Sequence, residues 1–137
     1  MILSAGLGDI IKGSLEKNNS FYPNMKLIAN FYDYKNDGYI KGYINNIIHP
    51  FNKNETSLKN TDYFKKIKER TNILLLGDVL SDIDMIKGAK CENLISIGFL
   101  NKYETNEEMH AFSSNYDLII LNDSSMKPVI EIIKRII

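Results

Sequence analysis

The chain predicts an α/β fold, a mainly parallel sheet with helices on both faces and one added β-hairpin. Three observations carry that prediction. The apolar run without polar alternation at residues 72–77 reads as a strand buried on both faces, as inside a parallel sheet, and residues 93–99 and 117–121 read as further strands. Amphipathic stretches separate them, so strands alternate with helices along most of the length. Asp37-Gly38, between two runs rich in aromatic and β-branched residues, marks a hairpin turn.

In chain order, residues 2–3 read as the end of a strand, followed by a small-residue turn through Ser4, Ala5 and Gly6. Residues 10–17 set Ile10, Ile11 and Leu15 among Lys12, Glu16 and Lys17, a helical spacing. Residues 26–34 and 39–44 form the hairpin around Lys35-Asn36-Asp37-Gly38. Residues 45–60 are polar and irregular, centred on His49-Pro50-Phe51-Asn52-Lys53. Residues 61–70 make a short helix with Tyr63, Phe64 and Ile67 inward and Lys65, Lys66, Lys68 and Glu69 outward. Strand 72–77 leads to a helix at 81–87, strand 93–99 to a helix at 104–112, and strand 117–121 to Asn122-Asp123-Ser124-Ser125. Residues 127–137 close as a helix with Val129, Ile130, Ile132, Ile133, Ile136 and Ile137 on its buried side. There is neither an internal repeat nor a linker, which predicts one domain or one half of a larger one.

With 137 residues, 44% of them hydrophobic, the chain can bury a real core. Lys plus Arg and Asp plus Glu are 17 each, so bulk charge favours neither nucleic acid nor an anionic membrane surface. No stretch approaches the roughly 18 apolar residues of a membrane helix. The amino terminus lacks the basic, apolar, small-residue order of a signal peptide. Met1-Ile2-Leu3 opens directly within a strand, the expectation for a fragment or a late-starting reading frame. The single cysteine, Cys91, precludes an internal disulfide and fits a reducing, cytoplasmic compartment; it is expected to be an ordinary semi-buried thiol.

The chemistry concentrates at residues 72–82. Gly77 lets the chain turn at a strand's carboxyl end, where open α/β sheets place ligands. Asp78 and Asp82, four apart, offer hard oxygens suited to Mg²⁺, which keeps waters and shares its sphere with a phosphate. The same residues also fit a capped loop, with Asp82 as N-cap of a helix starting near Ile83. Ser4-Ala5-Gly6 offers a hydroxyl and free backbone N–H groups to an anion, although such turns are common without a ligand. Lys53 is either a phosphate clamp reaching into a sheet-edge site or a solvated surface charge.

The order of these features, a strand ending in Ser4, then Lys53, then Gly77-Asp78 with Asp82, resembles motifs two, three and four of the haloacid dehalogenase superfamily. Ser4-Ala5-Gly6-Leu7-Gly8-Asp9, Tyr22-Pro23-Asn24, Asn30-Phe31, Gly42, His49-Pro50-Phe51-Asn52-Lys53, Asn60-Thr61-Asp62-Tyr63-Phe64 and Leu75-Leu76-Gly77-Asp78 resemble the carboxyl-terminal half of the cytosolic 5'-nucleotidase III (pyrimidine 5'-nucleotidase) family. The resemblance continues through Ile97-Gly98-Phe99-Leu100-Asn101 and Tyr116-Asp117. It implies a Rossmann-like, haloacid-dehalogenase-like core with its first strand and cap missing. The activity implied is Mg²⁺-dependent hydrolysis of pyrimidine nucleoside 5'-monophosphates, CMP and UMP. Ser4, the Ala5 backbone and Gly6 would bind the transferring phosphoryl group. Lys53 would neutralise phosphate and stabilise an aspartyl-phosphate intermediate, Asp78 would ligate Mg²⁺, and Asp82 would support the metal or hold Lys53.

The chain also departs from the family pattern. The family typically places Ser after Gly-Asp and Gly before the second Asp, where this chain has Val79 and Ser81. Val79 lacks the hydroxyl, which is expected to loosen the surroundings of the metal. The family's nucleophile lies in an Asp-x-Asp-x-Thr motif upstream of the Ser motif, and no such triplet occurs in residues 1–137; neither Asp82-Ile83-Asp84 nor Asp33 supplies it. Residues 1–137 alone are therefore expected to release no phosphate from CMP. Without the central first strand, the sheet is expected to show open edges and an apolar patch, closed by the rest of a longer polypeptide, a homo-oligomer partner or rearrangement. The alternative from a different class is a non-enzymatic remnant that binds phosphate or metal and acts through a partner.

Overall fold

A computed structural model describes residues 1–53, 62–102 and 105–136. Strands β1 (Ile2–Leu7), β2 (Leu27–Asn30), β3 (Tyr32–Tyr34), β4 (Ile40–Tyr43), β5 (Asn72–Gly77), β6 (Asn93–Leu100) and β7 (Leu118–Leu121) are joined by helices α1 (Gly8–Lys17), α2 (Asp62–Ile67), α3 (Asn106–Asn115) and α4 (Lys127–Ile136). Two 3₁₀ segments, Pro50–Asn52 and Leu80–Ile86, complete the described elements.

β5, β6 and β7 form a parallel sheet in that order, with Gly77 opposite Gly98 at its carboxyl end. The β6–β7 crossover carries α3 and the β5–β6 crossover the 3₁₀ segment Leu80–Ile86, the long connections that parallel strands need. One face packs Ile97, Ile120 and Val129 of α4 together with Leu74, Leu76, Ile95, Phe99 and Ile132. The other packs Leu100, Phe112 of α3 and Tyr116 with Ile83, Met109, Ile119 and Leu121. Helices thus cover both faces, as the uninterrupted apolar run at 72–77 predicts. Ser96, buried in β6, donates its backbone N–H and hydroxyl to Asp117 Oδ2, each at 2.8 Å, and this holds the Asp117 carboxyl below its ordinary pKa.

β1 and β2 pair in parallel as a second sheet, and β3 and β4 pair as the hairpin. Among the described residues β1 hydrogen-bonds only to β2 and β5 only to β6, so each keeps one open edge, as expected for this chain.

Several boundaries depart from the sequence reading. The small-residue stretch after Leu3 is no turn. β1 runs on to Leu7 with a register shift, Leu3 facing Ile28 and Leu7 facing Asn30, so Ser4, Ala5 and Gly6 sit in a bulge inside the strand. α1 begins at Gly8, which lies against the Phe31 ring, where a Cβ would come within 2.6 Å. The first hairpin arm splits into β2, paired with β1, and β3, paired with β4; the turn itself is where expected, with Gly38 at φ +85°.

The helix expected over 61–70 spans Asp62–Ile67, with Tyr63, Phe64 and Ile67 half-buried. The helix expected at 81–87 is the 3₁₀ segment from Leu80, and α3 starts later than expected, with Thr105 as a capping-box N-cap. On α4 only Val129 and Ile132 pack inward; Ile130, Ile133 and Ile136 are exposed, because a single sheet face takes one narrow stripe of the helix. Cys91 is exposed, correcting the semi-buried expectation, since it lies in the loop before β6. Residues 54–61, 103, 104 and 137, parts of the irregular segment and of three expected helices, lie outside the described residues. No described helix is long and apolar enough to cross a membrane.

Candidate functional site

The site is built from the carboxyl ends of β1, β2 and β5. In the β1 bulge the Gly6 N–H donates to Ser4 Oγ at 3.0 Å. The hydroxyl is the acceptor in that bond and so keeps its own proton for donation. Asn30, buried at the end of β2, donates its amide to Ala5 O (2.8 Å) and Ile48 O (2.9 Å) and accepts from the Ile48 N–H (2.7 Å). One side chain thereby ties the β1 bulge to Ile48, in the segment that leads to Lys53. Asp9 Oδ2 accepts from the Tyr32 N–H at 3.0 Å and fixes the hairpin against the start of α1.

The Pro50–Asn52 turn delivers Lys53. Pro50 suits the first position of a helical turn. Asn52 closes that turn, accepting from the His49 N–H at 2.7 Å and donating to Ile47 O at 3.0 Å. Lys53 Nζ then meets Asp82 Oδ1 at 2.9 Å, with both side chains largely withdrawn from solvent. Of the two readings open for Lys53, the solvated surface charge is therefore excluded.

Asp82 is the hub of the loop after β5. Its Oδ2 accepts the backbone N–H groups of Asp78 (3.1 Å) and Val79 (3.4 Å), while its own N–H donates to Val79 O at 3.1 Å. Asp82 caps, then, but from inside the first turn, since the 3₁₀ segment starts at Leu80 instead of near Ile83. Tyr116 donates its hydroxyl to Val79 O at 2.7 Å. Burial, followed by the Asp82 and Asp78 carboxylates, pushes that hydroxyl up to about 12. It stays protonated, and so a donor, across the physiological range.

The Asp78 side chain is exposed, and among the described residues only its backbone N–H is engaged. Hard oxygens of that kind fit Mg²⁺, whereas both Asp82 oxygens are already committed to Lys53 and to backbone donors. No group of three or more His, Cys, Asp or Glu that could hold a metal occurs among the described residues. In the loop after β5, Asp78 thus offers a carboxylate with no side-chain partner among the described residues, and Asp82 is taken up by Lys53 and backbone donors. A cleft of about 900 Å³ opens beside Asp78, between the 78–81 loop, residues 99–102 and the face of α3 carrying Glu107, Ala111 and Phe112.

The structure joins Lys53, Asp82 and Asp78 by direct hydrogen bonds, and Asn30 ties Ala5 to Ile48, five residues before Lys53. Ser4 and Gly6 share the bulge with Ala5. Asn30 and Tyr116 enter the sequence reading only within the matching segments Asn30-Phe31 and Tyr116-Asp117, without a role; for Asn30 the available signal was a lone polar residue closing an apolar strand at 27–30. The Val79 side chain is exposed and lines the cleft, and its backbone N–H and carbonyl are engaged by Asp82 and Tyr116.

The model of the pyrimidine 5'-nucleotidase (UMPH-1) family matches residues 1–137. The 7-methylguanosine phosphate-specific 5'-nucleotidase B of Xenopus laevis is 42% identical over 129 residues, covering 93% of this chain and 44% of that protein. The 7-methylguanosine phosphate-specific 5'-nucleotidase of Homo sapiens is 32% identical over 137 residues, covering 99% and 45%. A crystal structure of cytosolic 5'-nucleotidase IIIB bound to cytidine superimposes with a TM-score of 0.81 at 32% identity, covering 91% of this chain and 42% of that one. The fold is accordingly haloacid-dehalogenase-like, and the chain spans less than half the length of these relatives. On a family match over its whole length, the chain belongs to the pyrimidine 5'-nucleotidase family, whose members are hydrolases.

Proposed function

We propose that this chain supplies the phosphate- and metal-handling side of a 5'-nucleotidase that hydrolyses nucleoside 5'-monophosphates to nucleoside and phosphate. The observation that carries the reading is the Lys53–Asp82 pair, in which one carboxylate holds the ammonium group through Oδ1 and the Asp78 N–H through Oδ2 at the carboxyl end of β5. The Ser4 hydroxyl and the Ala5–Gly6 backbone would receive the phosphoryl oxygens. Lys53 would offset their charge, with Asp82 fixing its ammonium group in place. Asp78 would hold Mg²⁺, with Asp82 ordering the loop behind it; the metal, when bound, supplies charge neutralisation at the phosphate. The attacking carboxylate would come from outside residues 1–137, which contain no Asp-x-Asp-x-Thr.

For the base, the reading favours pyrimidines, CMP and UMP. It is supported by the family's description and by the cytidine bound to the solved relative. A second substrate, 7-methylguanosine 5'-monophosphate, is supported by the names of the relatives above. The cytosolic name of the solved relative supports a cytosolic location.

The test uses the native polypeptide, captured from its own cells with an antibody against this segment. Phosphate release from CMP, UMP and 7-methylguanosine 5'-monophosphate is measured with Mg²⁺ and with a chelator. Mg²⁺-dependent release from at least one nucleotide supports the reading, and their relative rates assign the base. Release from none of the three overturns it in favour of a binding remnant.

A further inference from the structure

The geometry points to Tyr116 as a positioning residue for the loop 78–82: by holding the Val79 carbonyl, its hydroxyl fixes the orientation in which Asp78 presents its carboxylate. The inference rests on the reading of that loop as the metal- and phosphate-handling end of a 5'-nucleotidase site.

The ring has a dedicated seat. Gly77 and Gly98 face each other across β5 and β6. A Cβ on Gly98 would come within 2.7 Å of Tyr116 Cδ2, and one on Gly77 within 2.5 Å of the Tyr116 hydroxyl oxygen. The ring therefore lies where only a glycine pair leaves room, and its hydroxyl ends directly over the last residue of β5. A Cβ on Gly77 would also meet Asp82 Cβ at 2.6 Å, so Tyr116 and Asp82 close on the same point of the backbone.

The ring is also anchored from behind. Tyr116 is the C-cap residue of α3, donating its N–H to Phe112 O at 2.9 Å, and it stacks on the Phe112 ring at 5.4 Å between centroids and 24° between planes. Its hydroxyl then reaches across to Val79 O at 2.7 Å.

That carbonyl is a junction in the loop. It takes two donors, the Tyr116 hydroxyl and the Asp82 N–H, which fills both lone pairs. The Val79 N–H and the Asp78 N–H both donate to Asp82 Oδ2. Turning the 79–80 peptide would thus lose the tyrosine bond and disturb the two N–H bonds that set Asp78. Tyr116 joins the two walls of the cleft as well, since α3 forms one and the 78–81 loop the other. The acting atom is the hydroxyl, so a phenyl ring in the same seat would preserve the packing and lose the positioning.

Tyr116→Phe and, as a packing control, Phe112→Leu are compared with the parent 137-residue chain by amide hydrogen exchange at Asp78 and Val79 and by Mg²⁺ titration of the same resonances. Expected in Tyr116→Phe is exchange at both amides faster by roughly tenfold, the weight of one hydrogen bond. Mg²⁺ affinity there falls by about tenfold, the usual effect of losing a group that orients a metal ligand. Phe112→Leu leaves the affinity within about twofold of the parent. Unchanged exchange in Tyr116→Phe overturns the inference, as does an equal loss of affinity in Phe112→Leu, which would make the role one of packing. A parent chain with no Mg²⁺ response removes the metal reading of the loop, while the exchange comparison still decides whether Tyr116 positions it.

Discussion

Lys53 Nζ lies 2.9 Å from Asp82 Oδ1, with the two side chains only 12% and 5% exposed. The pair joins the half of the molecule built on β1 and β2 to the half built on β5, β6 and β7. Removing one member of a buried pair leaves an uncompensated charge. Lys53→Met is expected to lower unfolding stability by about 3 kcal/mol, read by urea denaturation. A change within about 0.5 kcal/mol, the value for ordinary surface positions, would count against that coupling.

Asn30 makes three bonds to main-chain groups on either side of it. Asn30→Ala leaves the Ala5 and Ile48 groups short of partners in a buried place, at about 1–3 kcal/mol for each unsatisfied group. The variant should unfold at markedly lower urea than the parent. Its amide spectrum should shift at Ala5 and Gly6 and along the 48–53 segment, with the α4 resonances unmoved. Shifts confined to β2 would contradict the link between the bulge and Lys53.

Gly77→Ala tests the close approach of Asp82 and Tyr116. The added Cβ would meet the Tyr116 hydroxyl oxygen at 2.5 Å and Asp82 Cβ at 2.6 Å. Overpacking of this kind costs about 1–3 kcal/mol. The expected result is a lower thermal midpoint together with loss of exchange protection at Asp78 and Val79. Full protection in a folded Gly77→Ala chain would show that the loop is not seated as described.

Tyr116 gives a pH dependence. Its folded value, about 12, lies above the ordinary 10.0, so between these values the folded state binds more protons than the unfolded one. Its contribution is fully present below pH 10 and is lost as pH rises through 12, so stability should fall across that window. Denaturation midpoints at pH 9.5, 10.5 and 11.5 for the parent and Tyr116→Phe check this, the variant showing the shallower fall (pH values chosen at about half-unit margins around the shift).

Much of this was legible in the sequence because the parallel strands are apolar on both faces. The run at 72–77 could be nothing but buried, and the Asp37-Gly38 turn fixed the hairpin. Ser4 to Gly6 misled because small residues serve a bulge as well as a turn, and only the pairing of Leu7 with Asn30 decides between them. α4 misled in another way: its apolar residues exceed what one sheet face can cover, so Ile130, Ile133 and Ile136 stay exposed. At the site, the spacing of Asp78 and Asp82 marked the loop but could not divide the labour between them. That division depends on the partner each carboxylate meets, and Lys53, Asp82's partner, is 29 residues away in sequence.

Asp78, whose N–H is held by Asp82, and Lys53, whose ammonium group is held by the same carboxylate, are proposed to form a phosphate site that depends on Mg²⁺. Calorimetric titration of inorganic phosphate into the chain, with and without Mg²⁺, and repeated on Asp78→Ala, tests it most directly. Asp78 is exposed, so the variant is expected to fold. The account predicts saturable phosphate binding that Mg²⁺ strengthens in the parent and leaves unchanged in Asp78→Ala. Phosphate binding indifferent to Mg²⁺ in both chains, or no binding in either, would contradict it.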